Sequence, residues 1–418
     1  MYSIGYTQTS YPKNYFSSPL KIPIVLAGTF GELRSNHFHS GIDIKTQGKE
    51  GIPIYAPADG YVSRLKVSQY GFGKALYLNH PNGYTTVYAH LQKYSASIDN
   101  YIKGIQYQKK SYYTGNIFPK PEKFPVKKGD LIGYCGDTGS SSAPHLHYEI
   151  RDTKTEHVIN PLLFGLEVTD TKAPTLLRVA AFPLDEQSRV NGISQTTVLP
   201  VEASSDGNYN VERITAYGTI GLGIVAYDKL DDANNKNGLY SLDMFVNGTK
   251  VYHHDVETFS FSESKYINLF IDYEHYKTYR TRIQKTYREK ANRLSIYDGL
   301  INDGKLFIEP NKNYVIELVA KDLKGNMSIA KLPIKGVPTN TLFKQKDTTA
   351  YKIIAPNFHK FTKSNVTVAF PKHTFYDDIY LDFEVSDSIA KIHSPTVPLD
   401  KRFTLTFDTS EVLDSDKP

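Results

Sequence analysis

The chain reads as an all-β protein, with an antiparallel N-terminal domain followed by one or two β-sandwich domains. Three observations predict this. Short segments of alternating polarity recur between turn residues along most of the sequence. Tyr (32) and Phe (21) are abundant while charged residues make up 22%, which suits β-rich globular structure and not disorder. A chain of 418 residues also exceeds what a single core usually fills, so two or three domains are expected.

The first domain is placed at 1–167, with its core at about 23–166. Its alternating segments are Pro53 to Ala56, Tyr61 to Val67, Lys74 to Asn79, Thr85 to His90 and His145 to Ile150. Turn signals at Asp59-Gly60, Gly71-Phe-Gly73, Pro81-Asn-Gly83 and Lys128-Gly-Asp130 separate them, so an antiparallel sheet with little helix is predicted. The interval Gln92 to Pro125 is longer than a hairpin loop. It is read as an inserted loop (92–125) beside His90, of a length that goes with function or mobility.

Val168 to Pro174 is polar and ends in proline, as linkers do. A second β domain is placed at 175–338, with strand-like Gly223 to Tyr227, Ser241 to Gly248 and Tyr314 to Ala320. Within it Tyr273, Tyr276, Tyr279, Ile283 and Tyr287 recur at three- and four-residue steps, a helical stripe suited to core packing. The stretch Ala320-Lys-Asp-Leu-Lys-Gly-Asn-Met-Ser328 resembles the closing hairpin of bacterial immunoglobulin-like domains, which supports a sandwich. A third alternating region occupies 345–418 and ends abruptly, as a truncated domain would. No repeat of 20 to 50 residues is present.

The net charge of +5 is modest for this length, so nucleic acid is not an expected partner. A single cysteine, Cys135, excludes an intrachain disulfide and reads as a buried thiol. No run of 18 apolar residues occurs, so the chain is not expected to span a membrane. The first ten residues lack the basic and apolar regions of an export signal, which, if the protein is exported, has been removed.

Chemistry concentrates in three segments: His39-Ser-Gly-Ile-Asp43, Tyr88-Ala-His90 and His145-Leu-His147. His145 and His147 are two apart, so a strand places both on one face, with Leu146, Tyr148 and Ile150 on the other. Alone, such a pair is more often a half-buried strand facing water. His90 is read on a second strand, on the face of Thr86 and Tyr88 and opposite Val87, Ala89 and Leu91. His39 and Asp43 would be roughly 13 Å apart on an uninterrupted strand. Ser40-Gly41 supplies a turn that can fold one back beside the other. Catalytic zinc keeps three protein ligands plus water, and His39, Asp43 and one of the His145/His147 pair fit that count. Two histidines then remain for acid-base work. His-Glu-x-x-His is absent, which excludes the helical zinc-peptidase arrangement. His37 and His80 read as surface and structural residues, and no chemistry is assigned to His253 and His254.

The ordered set Phe38-His-Ser-Gly-Ile-Asp-Ile44, Val87-Tyr-Ala-His-Leu91, Val126 to Gly133 and Gly136-Asp-Thr-Gly-Ser-Ser-Ser-Ala-Pro-His-Leu-His-Tyr-Glu149 resembles the lysostaphin-type (LytM-like) zinc metallopeptidases over about residues 30–165. That resemblance implies a β-sheet peptidase domain with one catalytic zinc on the floor of a groove. It also implies cleavage of peptide bonds in peptidoglycan stems or cross-bridges by a metal-activated water. Carried over by residue, it makes His39, Asp43 and His147 the zinc ligands. His90 and His145 become the catalytic pair, orienting or deprotonating the water and stabilising the oxyanion. Peptidoglycan is then the partner, the periplasm or cell envelope the location, and the C-terminal β domains serve for placement or contact with an envelope protein.

Departures from the family pattern are few. Ser142-Ala143 stands where Thr-Gly is common, and Tyr148 where Phe is frequent. Degenerate members of the family have lost ligands and activate other hydrolases. The alternative reading is thus a non-catalytic or latent groove protein, occluded by the 92–125 loop or the later domains. All five site residues are present, which favours the enzyme. The sequence leaves the bond that is cut open, and the 92–125 segment is the expected source of substrate specificity.

Overall fold

The computed structural model describes residues 10–205, 207–338, 348–386 and 389–408. The first nine residues, the start of the third region at 345–347 and the abrupt C-terminal end at 409–418 lie outside them. The expected all-β class holds. The first region contains the strands Leu26–Gly28 (β1), Ile42–Lys45 (β2), Pro53–Tyr55 (β3), Gly60–Val67 (β4), Lys74–Asn79 (β5), Tyr84–Ala89 (β6) and Lys93–Tyr94 (β7). Gly115–Ile117 (β8), Pro125–Val126 (β9), Leu131–Tyr134 (β10), His145–Asp152 (β11) and Val158–Ile159 (β12) follow. The main sheet runs β1-β2-β11-β6-β5-β4-β8, and its pairings are antiparallel.

Alternation decides what each face of that sheet does. Leu146, Tyr148 and Ile150 of β11 join Ile42, Ile44 and Tyr88 in the main core, each with no exposed area. On the reverse side Val87 and Ala89 form a small apolar floor with Ala75, Tyr77 and Phe72. Cys135 is fully buried, as expected of an unpartnered thiol on an apolar strand. His80 is structural, bridging the Asp59 carbonyl and Thr86 Oγ1 at 2.9 and 2.8 Å.

The 92–125 segment is not a loop. It folds as a 14-residue helix, α1 (Ala96–Lys109), with Ile98 and Ile102 buried in the main core, followed by β8 on the edge of the sheet. Lys110 ends the helix in the left-handed conformation, its amide bonding the carbonyls of Gln106 and Tyr107.

The strand Ile214–Tyr227 organises the second region. Its C-terminal part pairs with Thr175–Pro183, and its first residues pair in parallel with Met327–Gly336. One strand thereby serves two sheets, as at the corners of a sandwich. The predicted closing hairpin forms between Asn313–Lys321 and Met327–Gly336. The tyrosine stripe is realised only in part. Tyr273–Tyr279 makes a short helix, α2, which Arg280 terminates at φ 59°. Beyond it the chain is extended, so Ile283 and Tyr287 are buried from a strand-like segment while Tyr279 is 67% exposed.

The first and second regions share a core. Val256, Phe259, Ile267, Phe270 and Leu294 pack into the cluster built on the N-terminal sheet. Strand Thr258–Phe259 extends that sheet by pairing with β12. Phe259 lies against Phe30 and Phe38, with ring centroids 5.0 and 5.5 Å away. Gly31, at φ 73°, meets Val256 so closely that a Cβ would fall 2.6 Å from the valine Cβ. The third region has its own small core of Ile353, Val366, Val368, Phe370, Phe375, Leu381 and Phe383.

Candidate metal centre and groove

Strand register brings the first group together. His147 stands opposite Asp43 across β11 and β2, so both side chains project from the same side of the sheet. His39 precedes β2 on a bend whose amide and carbonyl bond to Glu32 and Gly31. At Gly41 a Cβ would approach the Tyr148 carbonyl oxygen to 2.4 Å, so only glycine lets the turn press onto β11. As a result His39 Nε2, Asp43 Oδ1 and His147 Nδ1 lie 2.9 to 3.1 Å from one another, and all three residues are buried.

The remaining ring nitrogens show which atoms carry lone pairs. His39 Nδ1 lies 2.7 Å from the Thr29 carbonyl oxygen, which can only accept, so that nitrogen donates. His147 Nε2 lies 3.0 Å from Glu149 Oε1 and donates in the same way. In the neutral rings the lone pairs are then on His39 Nε2 and His147 Nδ1, the two atoms that converge on Asp43. Two imidazole nitrogens and one carboxylate oxygen at this spacing fit a zinc ion.

Electrostatics around the trio favour a positive charge at its centre. Burial pushes the Asp43 carboxyl up, but hydrogen bonds from His147 and His39 outweigh it and hold the group far below the usual carboxylate range. Burial pushes His147 down, yet Asp43 and then Glu149 raise it to about 9. A proton is thus held where a metal would displace it. Behind His147, Glu149 has no exposed area and accepts from the Ser40 hydroxyl and from Arg151 Nε at 2.7 Å. Burial pushes Glu149 up, and Arg151 and His147 bring it down to about 2. The second oxygen of Asp43 accepts from Arg34 at 3.3 Å, and Arg34 also pairs with Glu32 at 2.6 Å. Sequence reasoning missed Glu149, Arg151 and Arg34 as supports; the two-residue step from His147 to Glu149 to Arg151 on one strand face was the available signal.

His90 and His145 form a second pair, with ring centroids 4.8 Å apart. His90 Nδ1 donates to the Thr138 carbonyl and His145 Nδ1 to the Ala143 carbonyl, each at 2.8 Å. The Nε2 atoms are left as the free lone pairs, and that of His145 is 3.5 Å from Asp43 Oδ1. Burial, then the charge of His147, lowers His90 to about 4, so it is neutral near pH 7. The strand-face reading of His90 is corrected here. Tyr88 pairs with Tyr148 on the core side, so continued alternation would bury His90 there too. His90 instead lies one residue beyond β6 at φ 59°, and this left-handed step turns it to the side of His147.

These residues line one wall of a groove of about 1010 Å³. Opposite stand Tyr227, Lys236, His254, Phe270, Arg280 and Arg282, all from the second region. No residue of 92–125 lines it, so the lining gives no support to the expectation that this segment sets substrate specificity. His37 is exposed at the rim. Arg282 stacks over Tyr276 at 4.4 Å, and its Nε is buried without a partner. His254, also unassigned from sequence, is buried in this wall and lowered to about 3 by burial and the charge of His253.

Residues 37–107 and 106–161 match the family model described as Peptidase family M23. Among curated proteins, the DD-carboxypeptidase/endopeptidase Mpg of Neisseria meningitidis serogroup B is 29% identical over 199 residues, 48% of this chain and 36% of that protein. An uncharacterized metalloprotease of Haemophilus influenzae is 33% identical over 133 residues, 32% of this chain and 22% of its own length. The chain thus spans well under half the length of these relatives. The solved catalytic domain of the antimicrobial peptidase lysostaphin from Staphylococcus simulans is similar over 34% of this chain and 93% of its own, with 24% identity and a TM-score of 0.26. Among the described residues no helix is long and apolar enough to cross a membrane.

Proposed function

We propose, from the match of residues 37–161 to peptidase family M23, that the chain is a zinc-dependent endopeptidase that hydrolyses peptide bonds in peptidoglycan stems or cross-bridges, in the periplasm or cell envelope. The observation that carries this reading is the convergence of His39 Nε2, Asp43 Oδ1 and His147 Nδ1, with tautomers set by Thr29 and Glu149.

His39, Asp43 and His147 would hold the ion. When bound, zinc supplies a water of lowered pKa and a Lewis acid for the scissile carbonyl. Neutral His90 aims its Nε2 lone pair at this space and the His145 ring faces it there, so one of the two can take a proton from the attacking water. The other, once protonated, can donate to the developing oxyanion or to the leaving amine. The Thr138 and Ala143 carbonyls keep both rings oriented for those transfers. Across the groove Lys236, Arg280 and Arg282 offer positive charge, which suits the free carboxylates of peptidoglycan peptides.

Metal analysis combined with digestion of purified sacculi tests the reading. His90→Ala and His145→Ala should retain one zinc per chain and release no peptide fragments, whereas His39→Ala and Asp43→Ala should lose the zinc. Binding of sacculi by zinc-loaded wild type without fragments would favour a non-catalytic groove protein instead.

A further inference from the structure

A second group of potential ligand atoms lies away from the histidines. Asp170 sits in the polar stretch between the first and second regions, Asp228 directly follows strand Ile214–Tyr227, and Asp322 directly follows strand Asn313–Lys321. One carboxylate oxygen from each lies within 4.8 Å of the others. Asp228 and Asp322 are each only 4% exposed, so two carboxylates are withdrawn from water beside a third.

Acidic clustering alone would carry little, because solvated carboxylates tolerate one another. Here Asp228 Oδ1 is sealed from solvent and has no hydrogen-bond partner. A buried carboxylate oxygen that no protein group donates to is costly unless a cation or a bound water meets it. The charge of Lys172 reaches Asp228, but its Nζ is hydrogen-bonded elsewhere: it donates to the carbonyls of Leu230 and Asp231 at 3.3 and 3.2 Å and lies 3.9 Å from the Asp231 carboxylate. Asp322 is held in place by Asn326, whose backbone amide and Nδ2 donate to its two oxygens at 2.9 and 2.6 Å. The same Nδ2 reaches the Asp170 carbonyl at 3.2 Å, fixing the linker against the hairpin. Burial and then the neighbouring carboxylates raise Asp170 to about 7, and burial and Asp322 raise Asp228 to about 6.

We propose that Asp170, Asp228 and Asp322 form a binding site for a hard divalent cation of the calcium class, which fastens the linker at residue 170 to two strand ends of the second β region. All-oxygen, carboxylate-rich donors select hard cations over zinc. Calcium accepts irregular coordination from separate segments, whereas magnesium demands a near-ideal octahedron. The site pins the chain where it leaves the peptidase region, so its role is to hold the two regions together and not to take part in hydrolysis.

The full chain, loaded with zinc and freed of other divalent ions, is titrated with calcium chloride by calorimetry, and Tm is followed with and without calcium. One calcium per chain is expected, with a raised Tm. Asp228→Asn should bind calcium at least about tenfold more weakly and lose the calcium-dependent rise in Tm. In calcium-free buffer that variant should unfold no lower than wild type, because one of three repelling charges is gone. Asp170→Asn, in the half-exposed linker, provides the same comparison if Asp228→Asn fails to fold. His39→Ala should bind calcium as wild type does. The proposal is overturned by wild type that takes up no calcium at millimolar concentration, by aspartate variants that bind it unchanged, or by uptake lost in His39→Ala.

Discussion

Behind the three convergent atoms, Glu149 is the residue whose removal separates support from ligation. Glu149→Gln keeps the size of the side chain but removes the charge that faces both His147 and Arg151. Zinc affinity should fall by roughly 10- to 100-fold, as it does when the outer partner of a ligating histidine is lost. Competitive zinc titration reads this directly, and an unchanged Kd would leave Glu149 with a purely structural role. At this scale much of the site was legible. His39, Asp43, His90, His145 and His147 were all named from spacing and motif order, and the structure gathers all five. His90 was placed for the wrong reason, because strand alternation cannot foresee a positive φ at the residue where the strand stops. Arg34 was out of reach, since nothing in local spacing shows that it folds back onto the outer oxygen of Asp43.

Among the elements, α1 was the largest misreading. Ile98, Tyr101, Ile102 and Ile105 fall at helical spacing, and that signal could have found it. It was masked by Lys and Gln around a narrow apolar stripe and by the Pro-rich turn that follows. Because Ile98 and Ile102 enter the main core, Ile102→Ala should lower stability by about 2 to 5 kcal/mol in denaturant unfolding. Hydrolysis by the folded fraction should be unchanged, since α1 does not reach the groove; a specific loss of turnover would return the segment to the site. The groove is lined instead from the segment 280–284, which carries Arg280 and Arg282. Arg282→Ala should raise KM for anionic stem peptides with little change in kcat, a pattern of lost substrate binding measured by steady-state kinetics. Nothing in the sequence connects this segment to His39, because their meeting depends on the packing of two regions about 240 residues apart.

For the whole molecule, the shared core sets how the chain unfolds. Phe259 belongs to the second region by sequence and to the first by packing against Phe30 and Phe38. Phe259→Ala should cost about 3 to 5 kcal/mol. Calorimetry should show the transition of the histidine region and that of the following β region moving down together. Two transitions of which only one moves would mean that the seam is energetically slight. The β character of each part was readable from composition and alternation. The continuous sheet across the two regions was not, since a two-residue pairing such as Val158–Ile159 with Thr258–Phe259 leaves no periodic trace. The contact of Gly31 with Val256 gives this seam a mechanical meaning. Glu32, next to it, lines the groove on one side, and Tyr227 and Arg282 line the other. Glycine is therefore the thinnest possible shim between two jaws. A single methyl group at position 31 would prise them apart and reset the bite of the groove without touching any residue that does the chemistry.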